Sequence, residues 1–166
     1  MSFTDEKGTF KKNRVYYLDL GRSAVGASIA IALALWFVGR HEDPFLLASL
    51  GGSTVFLFAL RDTEAAQPRA LFGGHFGGAL IGILCFQIFG DALWVSAAAV
   101  ALTIVLMVAT RTIHPPAGAN PLLMVHNHAG FYALLNPVGI GILTLFITAM
   151  LWSRLGRGKA YPVKWQ

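Results

Sequence analysis

The chain has 166 residues, of which 55% are hydrophobic and only 13% are charged. A soluble domain carries about 25% charged residues, so the composition excludes a large soluble domain. The net charge of +5 does not indicate nucleic-acid binding, because the Lys and Arg residues cluster near the two termini beside apolar segments. Topology signals and contacts with lipid headgroups account for such clusters.

The charged residues leave long apolar blocks between them. Asp, Glu, Lys and Arg are absent from residues 23–39, 44–60, 70–90, 92–110 and 112–153. A bilayer core takes roughly 17–25 helical residues, so the blocks predict an all-α, polytopic transmembrane helical bundle. We expect an N-terminal lead-in over 1–22, a transmembrane domain over 23–153 and a basic tail over 154–166. No cleavage pattern of a signal peptide ends the lead-in.

The predicted segments are of two kinds, whole spans and broken blocks. In chain order they are a span over 23–39, a polar turn over 40–43, a broken block over 44–60, a linker over 61–69, spans over 70–90 and 92–110, a proline-broken block to Val125, a loop over 126–130 and a span over 131–153. Small residues repeat at four-residue spacing on the first and third spans. Such stripes allow close helix packing, and self-association into a homo-oligomer is their alternative use.

The number of crossings follows from the positions of the cationic residues. Six crossings with both termini cytoplasmic place 12 of the 13 Lys and Arg residues inside, whereas four crossings leave four of the 13 outside. The positive-inside rule therefore favours six crossings and cytoplasmic termini, in a bacterial inner membrane.

A weak internal repeat agrees with six crossings. A shift of 66 residues lays 50–58 on 116–124, and Gln67-Pro68 corresponds to Asn136-Pro137 at a nearby offset. Each half then consists of a span, a broken segment and a span. Three crossings per half invert the second half relative to the first, a pattern common in transporters.

The most unusual stretch runs from Thr110 to Met124, with prolines at 115, 116 and 121. Proline removes an amide donor and pushes the residue before it toward extended geometry, so we expect no regular helix before Pro116. In lipid, such a break is tolerated only inside protein or beside a water-filled cavity. The stretch is therefore predicted to be a functional site, although simple tight helix packing is an open alternative.

Four motifs in order connect the chain with a known family. They are Leu50-Gly51-Gly52-Ser53-Thr54-Val55-Phe56-Leu57-Phe58, Ala66-Gln67-Pro68-Arg69, Gly73-Gly74-His75 and His114-Pro115-Pro116-Ala117-Gly118-Ala119. With these motifs the chain resembles the HPP family of small integral membrane proteins, over about residues 20 to 153. That family is usually described with four membrane helices, and plastid and cyanobacterial members are linked to nitrite transport. The resemblance implies transport of a small anion.

A substrate site is predicted between the two broken segments, which we expect to face each other near mid-membrane. Helix starts at Gly51–Thr54 and at Gly118–Asn120 would aim free amides at an anion. The predicted binding residues are Gly51, Gly52, Ser53, Thr54, His114, Pro115, Pro116, Ala117, Gly118, Ala119 and Asn120. His114 is also a candidate proton carrier, or else a neutral brace for the proline turn.

Three further residues are predicted at the entrance or gate: Arg69, Arg111 and His75. The two arginines would draw anions to the path, although an orientation signal is the simpler role for both. His75 lies on a glycine-rich face, where packing is the simpler interpretation.

The motifs HExxH and GxSxG and a phosphate-binding glycine loop are missing, and no carboxylate lies within any span. An intramembrane hydrolase or a Na⁺ or Ca²⁺ pump would need at least one of these features. The sequence therefore predicts no enzyme, no catalytic residue, no cofactor and no metal site. His126 and His128 are interpreted as loop residues rather than metal ligands. The expected partners are a small inorganic anion, nitrite above all, and the lipid bilayer, with no nucleic acid. The alternative function is a membrane-embedded regulatory or scaffold subunit without transport activity.

Overall fold

The computed structural model describes residues 14–38, 48–155 and 160–165. Within these ranges the chain is helical and contains no β-strand, which confirms the all-α prediction. The predicted polar turn over 40–43 lies outside the described residues, as do residues 1–13 of the predicted lead-in and Arg157 and Lys159 of the basic tail.

The described chain contains both long and short helices. In order they are α1 (Arg14–Val38), α2 (Ala48–Thr54), α3 (Pro68–Phe89), α4 (Leu93–Thr110), α5 (Asn120–His126) and α6 (Ile140–Arg154). The irregular turns are a π-helical turn after α2 (Val55–Ala59), a 3₁₀ turn before α3 (Glu64–Ala66), a 3₁₀ helix before α5 (Pro115–Ala119) and a π-helical turn before α6 (Leu134–Gly139). Four described segments are long and apolar enough to cross a membrane: Tyr16–Val38, Pro68–Phe89, Leu93–Thr110 and Leu134–Arg154.

Helix α1 begins at Arg14, earlier than the first span predicted from Ser23. The prediction used the charges of Asp19 and Arg22 as a boundary, but charged residues are tolerated in the first turns of a membrane helix, where they reach the interface. Arg22 donates a hydrogen bond of 2.7 Å to the carbonyl oxygen of Trp152. Part of the predicted lead-in is therefore helix.

One end of the bundle, here called the tail end, holds the beginning of α1, the 61–67 loop, the end of α6 and residues 160–165. Tyr161 joins two of these pieces, because its hydroxyl donates to the carbonyl oxygen of Ala66 at 2.7 Å. Arg69, at the start of α3, donates to the carbonyl oxygen of Thr110 at the end of α4. The end of α4 therefore lies at the tail end too.

The opposite end, here called the turn end, holds the 90–92 turn and the 127–130 loop. His128 lies 2.9 Å from the carboxylate of Asp91, and Asn136 donates to the carbonyl oxygen of Val38 at 3.3 Å. The cationic residues that the structure describes all belong to elements at the tail end: Arg14, Arg22, Arg61, Arg69, Arg111, Arg154 and Lys164. Of the described acidic residues, Asp91 is the one at the turn end.

The second broken segment, 112–126, runs along α3 from the tail end to the turn end. Three glycines of α3 at four-residue spacing face it, and an added Cβ atom on each would touch successive residues of the segment. These glycines are Gly74, Gly78 and Gly82, and they face His114, Ala117 and Pro121 respectively. The GxxxG stripe therefore packs within the chain.

The first broken segment returns to the tail end beside α1. Ser23 donates a hydrogen bond of 2.8 Å to the carbonyl oxygen of Phe58, near the end of this segment. The small-residue stripe of α1 also packs inside the molecule, since Ala30 and Ala34 are fully buried. Four described segments have the length of a membrane span, so the count of six crossings and the inversion of the two halves both stay predictions.

Candidate functional site

The proline-rich stretch has the irregular backbone that its sequence predicts. Helix α4 ends at Thr110, and the next residue, Arg111, adopts a left-handed conformation with φ 56°. His114 is extended, with φ −131° and ψ 97°, because a proline follows it. The 3₁₀ helix then continues to Ala119, and α-helix begins only at Asn120. The prediction that no regular helix precedes Pro116 is confirmed.

The first broken segment differs from its prediction. Gly51–Thr54 does not begin a helix, because α2 starts at Ala48 and the helical path continues through the π-helical turn to Ala59. No proline interrupts residues 48–59, so nothing forces a break at the two glycines. The predicted pair of helix starts was therefore wrong for this half. Moreover, α5 has only 7 residues, too few for a strong helix dipole.

Side chains rather than helix ends form the contact between the two broken segments. The Oγ atom of Ser53 lies 2.8 Å from Nε2 of His75 and 2.9 Å from Nε2 of His114. The Nδ2 atom of Asn120 lies 3.0 Å from both Nδ1 and the carbonyl oxygen of His75. The Nδ1 atom of His114 lies 2.6 Å from the carbonyl oxygen of Ala65. We call Ser53, His75, His114 and Asn120 the polar cluster.

The partners of the polar cluster assign the ring protons. A carbonyl oxygen only accepts, so Nδ1 of His114 carries the hydrogen and its Nε2 accepts from the hydroxyl of Ser53. The Asn120 nitrogen faces the carbonyl of His75 and must be the amide NH₂, which also donates to Nδ1 of that ring. His75 therefore carries its hydrogen on Nε2 and donates to Ser53. Both imidazoles are neutral and satisfied in this assignment.

The polar cluster is sealed from solvent and lipid. Ser53, His75 and His114 are 0% exposed and Asn120 is 1% exposed. His75 lies about 10 Å from the start of α3, a helix about 33 Å long. The broken segments therefore face each other as predicted, about a third of the way along α3 from the tail end, while their depth in the membrane stays a prediction.

Glycine and proline bring the segments close beside the cluster. A Cβ atom added to Gly52 would lie 3.1 Å from Cβ of Pro116. Phe56, in the turn after α2, packs edge-on against His114 with 5.4 Å between ring centroids. By contrast, nothing lies within 4 Å of a Cβ added to Gly51 or Gly118. Packing does not require these two glycines.

The other predicted binding residues stand outside the polar cluster. Thr54 donates its hydroxyl to the carbonyl oxygen of Gly51, within its own helix. Ala117 is buried against α3, whereas Pro115 is exposed and Ala119 half-buried.

The two predicted entrance arginines lie together at the tail end, apart from the cluster. Arg69 is exposed, and its guanidinium holds the last carbonyl of α4. Arg111, also exposed, occupies the left-handed position that ends the same helix. The structure thus gives both residues a place at the termination of α4, while their role toward anions stays a prediction.

Sequence reasoning missed several contacts of the polar cluster and gave His75 too little weight. The carbonyl oxygens of Ala65 and Ser49 both contact it, the latter 2.9 Å from the Ser53 hydroxyl. Backbone carbonyls have no signal in the sequence, so no motif could have indicated them. His75 was interpreted as a packing or gating residue, yet it bonds directly to Ser53.

A cavity of about 360 Å³ lies elsewhere, at the tail end among α1, the turn after α2, the 61–63 loop and α6. Its wall includes Arg22, Arg61, Asp19 and Asp62, and none of the predicted binding residues lines it. The polar cluster is therefore separate from this cavity, and access to the cluster requires movement of the segments that cover it.

Together, the fold and the polar cluster define a polytopic helical membrane protein in which two broken segments meet at buried polar side chains. The chain belongs to the HPP family, since the family described as "HPP, transmembrane region" matches residues 12–162. The resemblance seen in the four motifs is thereby confirmed.

Two transmembrane proteins of Dictyostelium discoideum are similar to the chain. One is 35% identical over 151 residues, which cover 86% of this chain and 49% of the relative. The other is 34% identical over 128 residues, which cover 72% of this chain and 45% of the relative. The chain thus spans about half the length of the curated relatives it matches. No solved structure matches it.

Proposed function

We propose that this protein transports a small anion, most specifically nitrite, across a membrane through the site between its two broken segments. The observation that carries the proposal is the bond between Ser53 and His114, which joins the two segments with polar side chains that are fully buried. Ionisable and polar groups are costly inside a membrane, and they mark substrate or proton pathways when they persist there.

The chemistry of the polar cluster suits an anion. Ser53 offers a hydroxyl, Asn120 an amide NH₂ and the two histidines ring N–H groups, all of which donate hydrogen bonds. No carboxylate lies in α2, in the 3₁₀ helix or in α5 to repel a negative charge. Because the donors now satisfy one another, the anion replaces these internal bonds when the segments part.

The orientation in the membrane is part of the proposal: the tail end faces the cytoplasm. Its support is the placement of the described cationic residues at that end, which the positive-inside rule associates with the cytoplasm. Two cysteine variants in a Cys85→Ala background test it. An impermeant thiol reagent added to intact cells should label Gly130→Cys, in the turn-end loop, and spare Glu64→Cys, in the exposed tail-end loop. The reverse pattern would refute this orientation.

Nitrite uptake into liposomes that contain only the purified full chain tests the function. We expect uptake above that of protein-free liposomes, and a loss of at least tenfold in Ser53→Ala. The matched control is Thr103→Val, because Thr103 is another buried hydroxyl close to the carbonyl oxygen four residues earlier, at 2.8 Å, as the Ser53 hydroxyl is to that of Ser49, at 2.9 Å. Thr103→Val should transport normally.

A regulatory or scaffold subunit is the second candidate, because a fully satisfied network also suits a static brace. Wild-type uptake no faster than in protein-free liposomes would favour it. Equal losses in Ser53→Ala and Thr103→Val would place the transport path outside the polar cluster.

A further inference from the structure

We propose that the polar cluster is a proton relay, and that each anion crosses together with a proton, so that transport carries no net charge. The proposal deepens the proposed function and rests on it. The geometry that points to it is a chain of hydrogen bonds in which an imidazole, a hydroxyl and a second imidazole follow one another, each able to give and to take a proton.

The donors in this chain all point the same way. Asn120 donates to Nδ1 of His75 at 3.0 Å, and Nε2 of His75 donates to Ser53 at 2.8 Å. Ser53 donates to Nε2 of His114 at 2.9 Å, and Nδ1 of His114 donates to the carbonyl oxygen of Ala65 at 2.6 Å. A uniform direction is the arrangement that lets a proton added at one end release another at the far end.

The transfer conserves protons at every position. A proton that binds Nδ1 of His75, once Asn120 swings away, lets the Nε2 proton of that ring pass to Ser53. The hydroxyl proton of Ser53 passes to Nε2 of His114, whose Nδ1 proton is released beside Ala65. One proton enters and one leaves, and each ring ends neutral with its hydrogen on the other nitrogen. Ala65 is half-buried in the tail-end loop, so the release lies toward that end.

The relay must be reset before it works again, and Ser53 has the means. Its hydroxyl also lies 2.9 Å from the carbonyl oxygen of Ser49, an acceptor outside the relay. When the hydroxyl turns to this carbonyl, the link between the two imidazoles opens. Once the segments part, each ring gives its new hydrogen to the water that enters and takes one from water on its other nitrogen, which restores the first tautomers. A serine with a second acceptor one helical turn away therefore serves as the movable link of the relay.

Few other titratable or charged groups lie on the elements around the two histidines and could hold the proton in their place. The described parts of α2, its π-helical turn and α4 carry no titratable side chain, and the stretch from the 3₁₀ helix to Val125 carries none either. The start of α3 adds Arg69, which is bound at the end of α4. The 61–67 loop adds Arg61, Asp62 and Glu64, and no described contact joins them to either ring. A proton at the cluster therefore resides on His75 or His114, where a bound anion balances its charge.

The net charge that crosses the membrane distinguishes this mechanism from passage of the anion alone. Nitrite entering alone builds up voltage, so K⁺ with valinomycin accelerates it, whereas nitrite entering with a proton needs no counter-ion and acidifies the lumen. In liposomes with the wild-type chain and an internal pH dye, at pH 7.5 and after subtraction of protein-free liposomes, we expect acidification and no effect of valinomycin. Uptake that valinomycin accelerates, without acidification, would overturn the relay and leave the proposed function intact.

Variants then locate the relay. Ser53→Ala removes the link while keeping both rings, and we expect proton-coupled uptake to fall at least tenfold. His114→Gln should do the same, while Thr103→Val should retain it. Coupled uptake that persists in either cluster variant, purified as a folded monodisperse protein, would overturn the proposal. If both variants fail to fold, the valinomycin result on the wild-type chain decides it. No nitrite uptake by wild type would instead refute the proposed function itself.

Discussion

Gly52 of α2 lies directly against Pro116 of the 3₁₀ helix, so that a Cβ atom there would stand 3.1 Å from Cβ and 3.4 Å from Cγ of the proline. The proline ring cannot rotate away as a long side chain does. Ser53, the next residue, bonds to both histidines of the polar cluster. The space between Gly52 and Pro116 therefore controls how closely the two broken segments approach.

This contact predicts a difference between neighbouring glycines. Gly52→Leu should push the segments apart, cost about 1–3 kcal/mol of stability as over-packing does, and lengthen the bonds of the polar cluster. Nitrite uptake should fall at least tenfold, measured in liposomes beside the wild-type chain. The controls are Gly51→Leu and Gly118→Leu, whose Cβ atoms would meet open space. If all three variants lose uptake equally, the Gly52–Pro116 contact does not determine the rate of nitrite uptake.

The glycine stripe of α3 gives a second prediction, for stability. A Cβ on Gly82 would lie 2.7 Å from Cα of Pro121, a backbone atom that cannot move aside. A Cβ on Gly77 would lie 2.6 Å from Cδ2 of Leu106, the flexible end of a side chain. Gly82→Ala should therefore lower the free energy of unfolding by about 1–3 kcal/mol.

The matched variant Gly77→Ala should cost less than about 1 kcal/mol, since Leu106 can rotate and alanine favours helix over glycine. Denaturant titration of both variants in the same micelles gives the comparison. If the two variants are equally stable, the backbone of the second broken segment moves away from an added methyl group as easily as the Leu106 side chain does.

These contacts also show what the sequence could predict. Charge-free blocks of bilayer length predicted the long helices, because a charge inside lipid is costly whatever the packing. The prolines at 115 and 116 predicted the second break, since the missing amides are a local property of the chain. The start of α1 at Arg14 was not predicted, because a charge near the interface does not end a helix.

The site was only partly predictable. His114 and Asn120 were chosen because they lie in the broken stretch, and Ser53 because it lies in a motif of the other half. Their mutual contact depends on how α3 packs between distant segments, which no local pattern encodes. Gly51–Thr54 was predicted as a helix start from its glycines, but without a proline the helix passes straight through.

The charge of Arg111 can be removed by substitution with glycine without disturbing the backbone. Its φ of 56° is left-handed, a conformation that costs roughly 1–2 kcal/mol in residues other than glycine. Arg111→Gly should therefore unfold no earlier than the wild-type chain. If the guanidinium draws anions to the entrance, the variant should take up nitrite more slowly at low ionic strength and equally fast at high ionic strength, because salt screens the attraction.

Arg69→Gln is the companion variant, since glutamine removes the charge but can still donate to the carbonyl oxygen of Thr110. Uptake rates measured from about 20 to 300 mM salt, a range over which the screening length shortens several-fold, compare the two. Rates that match wild type at every salt concentration would assign both arginines to helix termination and membrane orientation.

Tyr161 links the tail to the 61–67 loop, and its burial makes that link sensitive to alkali. The side chain is 0% exposed, its hydroxyl donates to Ala66, and burial raises the pKa of the phenol above its usual value. The folded protein therefore keeps this proton at a pH where the unfolded chain, with a tyrosine pKa of about 10, has lost it. Stability from Tyr161 is complete below pH 10 and declines as the pH rises further.

Tyr161→Phe should show two effects. Near neutral pH it should lose about 1 kcal/mol, because the buried carbonyl of Ala66 loses its donor. Above pH 10 the wild-type chain should lose up to about 1.4 kcal/mol per pH unit more than the variant, so the two stability curves converge. Unfolding in micelles from pH 7 to pH 11 measures both, and the difference between the curves removes the contribution of the other tyrosines and lysines. Parallel curves would contradict the prediction, because they would mean that the phenol of Tyr161 loses its proton at the same pH in the folded protein as in the unfolded chain.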